Sequence, residues 1–141
     1  MNAPLDPLAI VEEWLLLARE DLATATEMVP KRRWRHVCFH AQQAAEKFIK
    51  ALLTSRQVDI PRTHDLEKLV QHLVDAKPLG LLDPGILDLS EYAVDTRYPR
   101  DSVEELAIDD AERALAAARK VEERVMQALH PPQTKTDIQT Q

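Results

Sequence analysis

Residues 34–55 read Trp34-Arg35-His36-Val37-Cys38-Phe39-His40-Ala41-Gln42-Gln43-Ala44-Ala45-Glu46-Lys47-Phe48-Ile49-Lys50-Ala51-Leu52-Leu53-Thr54-Ser55. Val37, Ala41, Ala44, Phe48 and Ala51 recur four and three apart, with Ala45 and Leu52 beside them, which is the spacing of one helical face. The run predicts a helix over its whole length. Its small residues let another backbone approach closely, while Gln42, Gln43, Glu46, Lys47 and Lys50 make up much of the remaining, polar surface.

Upstream, Val11, Leu15, Ala18, Leu22, Ala25 and Val29 show the same alternation, with Trp14 and Leu17 widening the stripe and Pro30 closing it. Two long helices joined by a short basic turn must run antiparallel. Downstream, Thr63 is an expected N-cap for a helix from about His64 to Ala76, whose apolar face is Leu66, Leu69, Val70 and Leu73. Pro78, Gly80, Pro84 and Gly85 mark a loop, and a shorter helix is expected from Ile86 to about Val94. Regular structure breaks at Asp95-Thr96-Arg97-Tyr98-Pro99-Arg100, because Pro99 disfavours helical geometry at Tyr98.

A last helix is expected to open at Asp101 or Ser102, Ser102 and Glu105 having capping-box spacing, and to run to about Leu129. Its Ala107, Ala111, Ala114, Ala118, Val121, Val125 and Ala128 keep a heptad rhythm. So small a stripe buries well only where helices pack closely, and it is expected to serve both the bundle and a dimer seam. The resulting expectation is an all-α protein, an up-and-down bundle of four to five helices. Residues 1–130 form one domain and 131–141 a polar, disordered tail without apolar period.

With only two glycines, the 141-residue chain lacks the turn chemistry of a β-sandwich or barrel. A net charge of −6 argues against a general nucleic-acid coat protein. A local basic patch survives at Lys31-Arg32-Arg33-Trp34-Arg35-His36, where the aromatic ring could stack on a base. Its plainer reading is a solvated turn anchored by Trp34. The single cysteine, Cys38, excludes an intramolecular disulfide and reads as a small buried side chain. No apolar run spans a bilayer, and Asp6, Glu12 and Glu13 are too acidic for a signal peptide, so a soluble, cytoplasmic protein with no membrane association is expected. No zinc-ligand spacing and no Gly-rich phosphate loop occur, so neither metal nor tightly held cofactor is expected.

Three blocks in order, residues 38–53, Pro61-Arg62-Thr63-His64-Asp65-Leu66 and Arg97-Tyr98-Pro99, resemble the HEPN family (higher eukaryote and prokaryote nucleotide-binding domains). The resemblance covers Trp14 to Leu129. It implies a four- or five-helix bundle that commonly forms a homodimer and binds a nucleotide or RNA. It also implies a minimal nucleotidyltransferase partner, fused or separate, many such pairs being toxin–antitoxin systems. Other members are metal-independent endoribonucleases using an Arg and a His with four to six residues between them. Counted from Arg97, that His would fall at Ser102, Val103 or Glu104, none of which can replace an imidazole. A literal match at Arg35 and His40 lies in the second helix, away from the family's usual place.

The site candidates follow from both lines of reasoning. Arg97 and Tyr98, near the acidic Asp95, are expected nucleotide- or RNA-binding groups: a guanidinium forks onto phosphate and a phenol hydrogen-bonds ribose or base. Alternatively Arg97 pairs with Asp95 or Asp101 and Tyr98 fills the bundle end. Lys47 and Lys50 share a face suited to an anionic partner, although Glu46 and Lys50 make an equally good ion pair. His64 and His40 are the candidate catalytic histidines of an endoribonuclease alternative. The structural alternative for His64 is a helix-cap residue beside Asp65, and a dimerisation subunit is the third functional class.

Overall fold

A computed structural model of the chain describes residues 6–93 and 106–130. The order is α1 (Pro7–Met28), α2 (Trp34–Ser55), α3 (Leu66–Val70), α4 (Pro84–Leu87), a 3₁₀ turn (Asp88–Tyr92) and α5 (Ile108–Leu129). The described residues contain no strand. Asp6 starts α1 by accepting the Leu8 amide at 3.0 Å, with Pro7 in the first turn where its missing N–H costs nothing. The helix therefore begins one turn before its apolar stripe. At its far end Arg32 adopts φ 56, a left-handed turn residue that reverses the chain into α2. α2 has the bounds its periodicity predicts.

Cross-links between helices fix their directions. Asp21 of α1 meets His40 and Lys47 of α2, whereas Trp14, nearer the start of α1, meets Lys50, further along α2. The two helices are antiparallel. Thr26 meets Arg119 of α5 and Arg19 meets Glu122, so α5 also runs against α1 and in the same sense as α2. Between α2 and α5 the chain climbs back through α3, α4 and the 3₁₀ turn. Gly80 lies against Arg124, and Asp83 against Lys120, so this broken leg is antiparallel to α5. The fold is an up-down-up-down bundle with one irregular member.

The third leg departs from the helix expected over residues 64–76. α3 is five residues long and is capped by Asp65, which accepts the Glu67 amide at 3.0 Å. Thr63 caps the residue before, its hydroxyl accepting the Asp65 amide at 3.1 Å. Beyond Val70 the backbone turns by i→i+3 bonds, such as Leu73 N–H to Val70 O at 2.9 Å. The expected apolar face is still buried at Leu66, Leu69, Val70 and Leu73. Pro78 and Pro84 supply no amide donors, and Gly80 at φ 77 has the Arg124 guanidinium against its Cα, where a Cβ would sit 2.7 Å from Nη1. A continuous helix cannot pass through that sequence. The expected Ile86–Val94 helix is correspondingly split into α4 and the 3₁₀ turn, with Val94 outside the described residues.

α5 starts at Ile108, with Leu106 and Ala107 non-helical, so neither Asp101 nor Ser102 is its N-cap and the Ser102–Glu105 pair is not its capping box. The Asp110 carboxylate instead accepts the Ala107 amide at 2.8 Å, an interaction made from inside the helix because alanine offers no side-chain acceptor. Ala111, Ala114, Ala118, Val121 and Val125 are buried within the chain's own bundle, where α5 packs on α2. The stripe expected to serve both bundle and dimer is thus occupied internally. Trp34 packs against the core while Lys31, Arg32 and Arg33 are exposed, the solvated-turn arrangement, and Cys38 is buried.

Candidate functional site

α2 carries ionisable groups along one flank, and two neighbours supply their partners. His40, Gln43, Lys47 and Lys50 follow three-four-three spacing and are half-buried, forming a polar strip about 15 Å long. α1 lies along one side through Asp21 and Trp14. The segment before α3 lies along the other through His64.

At one end Glu46 is the hub. Its side chain is 3% exposed, yet it accepts from Lys50 Nζ at 2.9 Å, from His64 Nδ1 at 2.9 Å and from Gln42 Nε2 at 3.2 Å. Gln42 also reaches the His64 carbonyl at 3.4 Å and accepts from Gln43 at 2.6 Å. Burial pushes the Glu46 carboxyl up, but hydrogen bonds from Lys50 and His64, the Lys50 charge and Gln42 outweigh it and hold the group below the usual carboxylate range. The other end repeats the pattern with Asp21, which is bonded to His40 Nδ1 at 3.0 Å and to Lys47 Nζ. Burial again opposes ionisation, and the bonds and charges of His40 and Lys47 overcome it.

The arrangement has a direction. Asp21 and Glu46 are the deeper members, 14% and 3% exposed, whereas the bases lie nearer solvent, His64 most of all at 68%. The strip therefore offers donors and imidazoles outward with its negative charge beneath. An ionised carboxylate only accepts, so each imidazole must carry its proton on Nδ1. When the ring is neutral, Nε2 keeps its lone pair. The His64 side chain that carries it is largely exposed.

Four candidate residues, His40, Lys47, Lys50 and His64, are brought together here. Arg97, Tyr98 and Asp95 lie outside the described residues. The Arg35–His40 pair is not assembled as a unit, since residues five apart on a helix point about 140° from each other. Glu46 was legible only as an ion partner of Lys50, and Gln42 only as polar surface. Gln42, Glu46, Ile49 and Leu53 nevertheless share one four-three-four row of α2, and two polar residues on an otherwise apolar row are the available sign of a buried network. Nothing in the spacing of α1 marked Asp21. A separate cleft of about 360 Å³ between the 3₁₀ turn and α5, lined by Tyr92, Asp110, Arg113 and Lys120 among others, holds none of the four candidates that lie among the described residues. No group of three or more potential metal ligands occurs among the described residues. No described helix is long and apolar enough to cross a membrane.

Because both hub carboxyls are held low, their stabilisation is fully present above the ordinary carboxylate range and is lost as pH falls through the depressed values. Urea midpoints are expected to stay level from about pH 7 to about pH 5 and to drop below about pH 4, with a shallower drop in an Asp21→Asn, Glu46→Gln variant. An equally steep acid loss in that variant would place the titrating groups elsewhere.

The family profile described as HEPN domain matches residues 11–129. Among solved structures, TT1696 from Thermus thermophilus is 27% identical, with a TM-score of 0.71 over 84% of this chain and 97% of that one. ST0689, described as an archaeal HEPN homologue, is 25% identical, with a TM-score of 0.61 over 82% of this chain and 94% of that one. No curated protein matches the chain.

Proposed function

Because the chain belongs to the HEPN domain family, we propose that it is the binding member of a two-component system: a cytoplasmic homodimer that takes a nucleotide or single-stranded RNA and is paired with a minimal nucleotidyltransferase of the toxin–antitoxin kind. One observation supports the ligand class above all. Along α2 the cationic and imidazole groups lie outward over one buried carboxylate, Glu46, and one partly buried carboxylate, Asp21, a surface that meets phosphate with donors and sets its negative charge beneath them. Lys47 and Lys50 are the phosphate contacts in this reading, Trp14 is the aromatic neighbour of Lys50, and Arg97, Tyr98 and Asp95 extend the contact surface. The partner and the homodimer rest on family membership alone.

The test is fluorescence anisotropy with a labelled oligoribonucleotide of about ten nucleotides, within the usual single-strand site size. Binding is expected to weaken with salt, and Lys47→Gln is expected to reduce the log–log salt slope by about 0.7 in magnitude, the loss of one single-strand phosphate contact. Arg97→Ala is expected to weaken binding as well. A wild-type protein that binds neither this probe nor ATP at low salt would sink the reading. Co-expression with a nucleotidyltransferase encoded by a neighbouring gene, followed by co-purification, tests the pairing.

A further inference from the structure

We infer that α1 carries the surface on which two copies of this chain pair, the two α1 helices lying antiparallel about a two-fold axis beside Leu16. The inference rests on the homodimer in the reading above and locates it. Because the alanine stripe of α5 is buried inside the bundle, the pairing needs another face.

Exposure and spacing together define that face. Leu8, Glu12, Leu16, Arg19 and Ala23 are all exposed and follow one another four, four, three and four apart, so they form a single stripe along the helix. Leu8 is 64% and Leu16 52% exposed, and among the described residues no other two large exposed apolar side chains share a helix. Single exposed leucines need no explanation, whereas two on one stripe with charges between them have the composition of a contact surface.

The order of the charges selects the occupant. When a second α1 is turned end for end and the axis is centred between Leu15 and Leu16, Leu8 falls opposite Ala23 and Glu12 opposite Arg19, with Leu16 beside its own copy. The Glu12–Arg19 pair is then made twice, as a closed two-fold contact requires. A helix from another protein has no reason to carry the reverse complement of this stripe. Both charges are available for the pairing. Arg19 is 3.9 Å from Glu122 and 3.7 Å from the Met126 sulfur, contacts that leave guanidinium donors over, and Glu12 makes no ion pair among the described residues. Ala23 adds no bulk, and the depression it lines with Leu22, Thr26 and Arg119 between α1 and α5 has room for the partner's Leu8.

The pairing leaves the α2 strip open. Asp21 and Trp14, which face the strip, project about 180° around α1 from the stripe, so each copy keeps its ligand surface on the far side. The contact is small for a specific interface, and a reversible dimer with a dissociation constant on the order of 10 µM is expected.

Sedimentation velocity of the full chain from about 1 to about 200 µM spans that constant. Wild type is expected to pass from monomer to dimer. Glu12→Arg and Arg19→Glu each set like charges opposite one another twice and are expected to weaken the dimer by at least about 10-fold. Mixed in equal amounts, the two variants are expected to associate again, because the introduced charges meet their opposites at both contacts. Leu16→Glu is expected to be monomeric with an unchanged far-ultraviolet spectrum, and Ala116→Glu, on α5, to sediment like wild type. Binding of the labelled oligoribonucleotide is expected to persist in the monomeric variants, since the strip is not part of the contact. A wild-type chain that stays monomeric removes the homodimer and this inference together. A wild-type dimer that survives the α1 substitutions, or charge variants that stay apart when mixed, overturns the inference alone and puts the homodimer on another face.

Discussion

Lys50→Met is expected to lower the unfolding free energy by about 3 kcal/mol, the range for removing one partner from a buried ion pair. The substitution preserves length and apolar stem, so packing beside Trp14, whose ring centroid lies 5.4 Å from the lysine nitrogen, is largely kept. What is lost is the charge opposite Glu46. That carboxylate is 3% exposed and cannot be rehydrated without opening the contact between α2 and the segment before α3. His64 and Gln42 still donate to it, which keeps the loss from being larger. Thermal unfolding should fall by roughly 10 °C for a chain of this size. Adding Glu46→Leu to Lys50→Met should restore most of the stability, since an apolar pair of similar volume removes the uncompensated charge. A single variant as stable as wild type would mean that the strip is hydrated and that Glu46 is not the hub the geometry makes it.

Periodicity reveals the frame around this network but not the network itself. The helical spacing of α1, α2 and α5 is legible because each buries a stripe against the others, and burial imposes a period on sequence. α2 begins and ends within one turn of its stripe. The third leg defeats the same reasoning. Leu66, Leu69, Val70 and Leu73 have helical spacing and are buried, yet successive i→i+3 turns present them to the core as well as a helix would. Spacing records which side faces inward, and two backbone conformations can satisfy it. The start of α5 fails for a different reason: Ser102 and Glu105 have the right residue types, but the cap is made by Asp110 reaching back to the Ala107 amide. At the site, types and spacing pick out His40, Lys47, Lys50 and His64, whereas their carboxylate partners need three dimensions. Asp21 meets α2 across a helix interface and has no sequence neighbour that announces it.

Ala118→Glu is expected to prevent folding, a loss of more than about 5 kcal/mol set against a total stability of about 5–15 kcal/mol. Ala118 is fully buried in the α2–α5 seam, where alanine lets the backbones approach and leaves no space for a longer side chain. Glutamate adds both volume and a charge without a partner. The loss of far-ultraviolet helicity and of a cooperative melt checks it. The same position could be mistaken for a dimer contact, because an alanine heptad on α5 fits an intermolecular seam as well as an intramolecular one. Ala116 separates the two. It lies on the exposed side of the same helix, so Ala116→Glu should change stability by no more than about 0.5 kcal/mol. If Ala116→Glu stays folded but shifts the sedimentation coefficient toward a monomer's, the outer face of α5 carries the homodimer. If both variants fold and sediment like wild type, the α2–α5 seam is looser than a buried alanine stripe permits, and the close helix approach inferred from sequence is wrong.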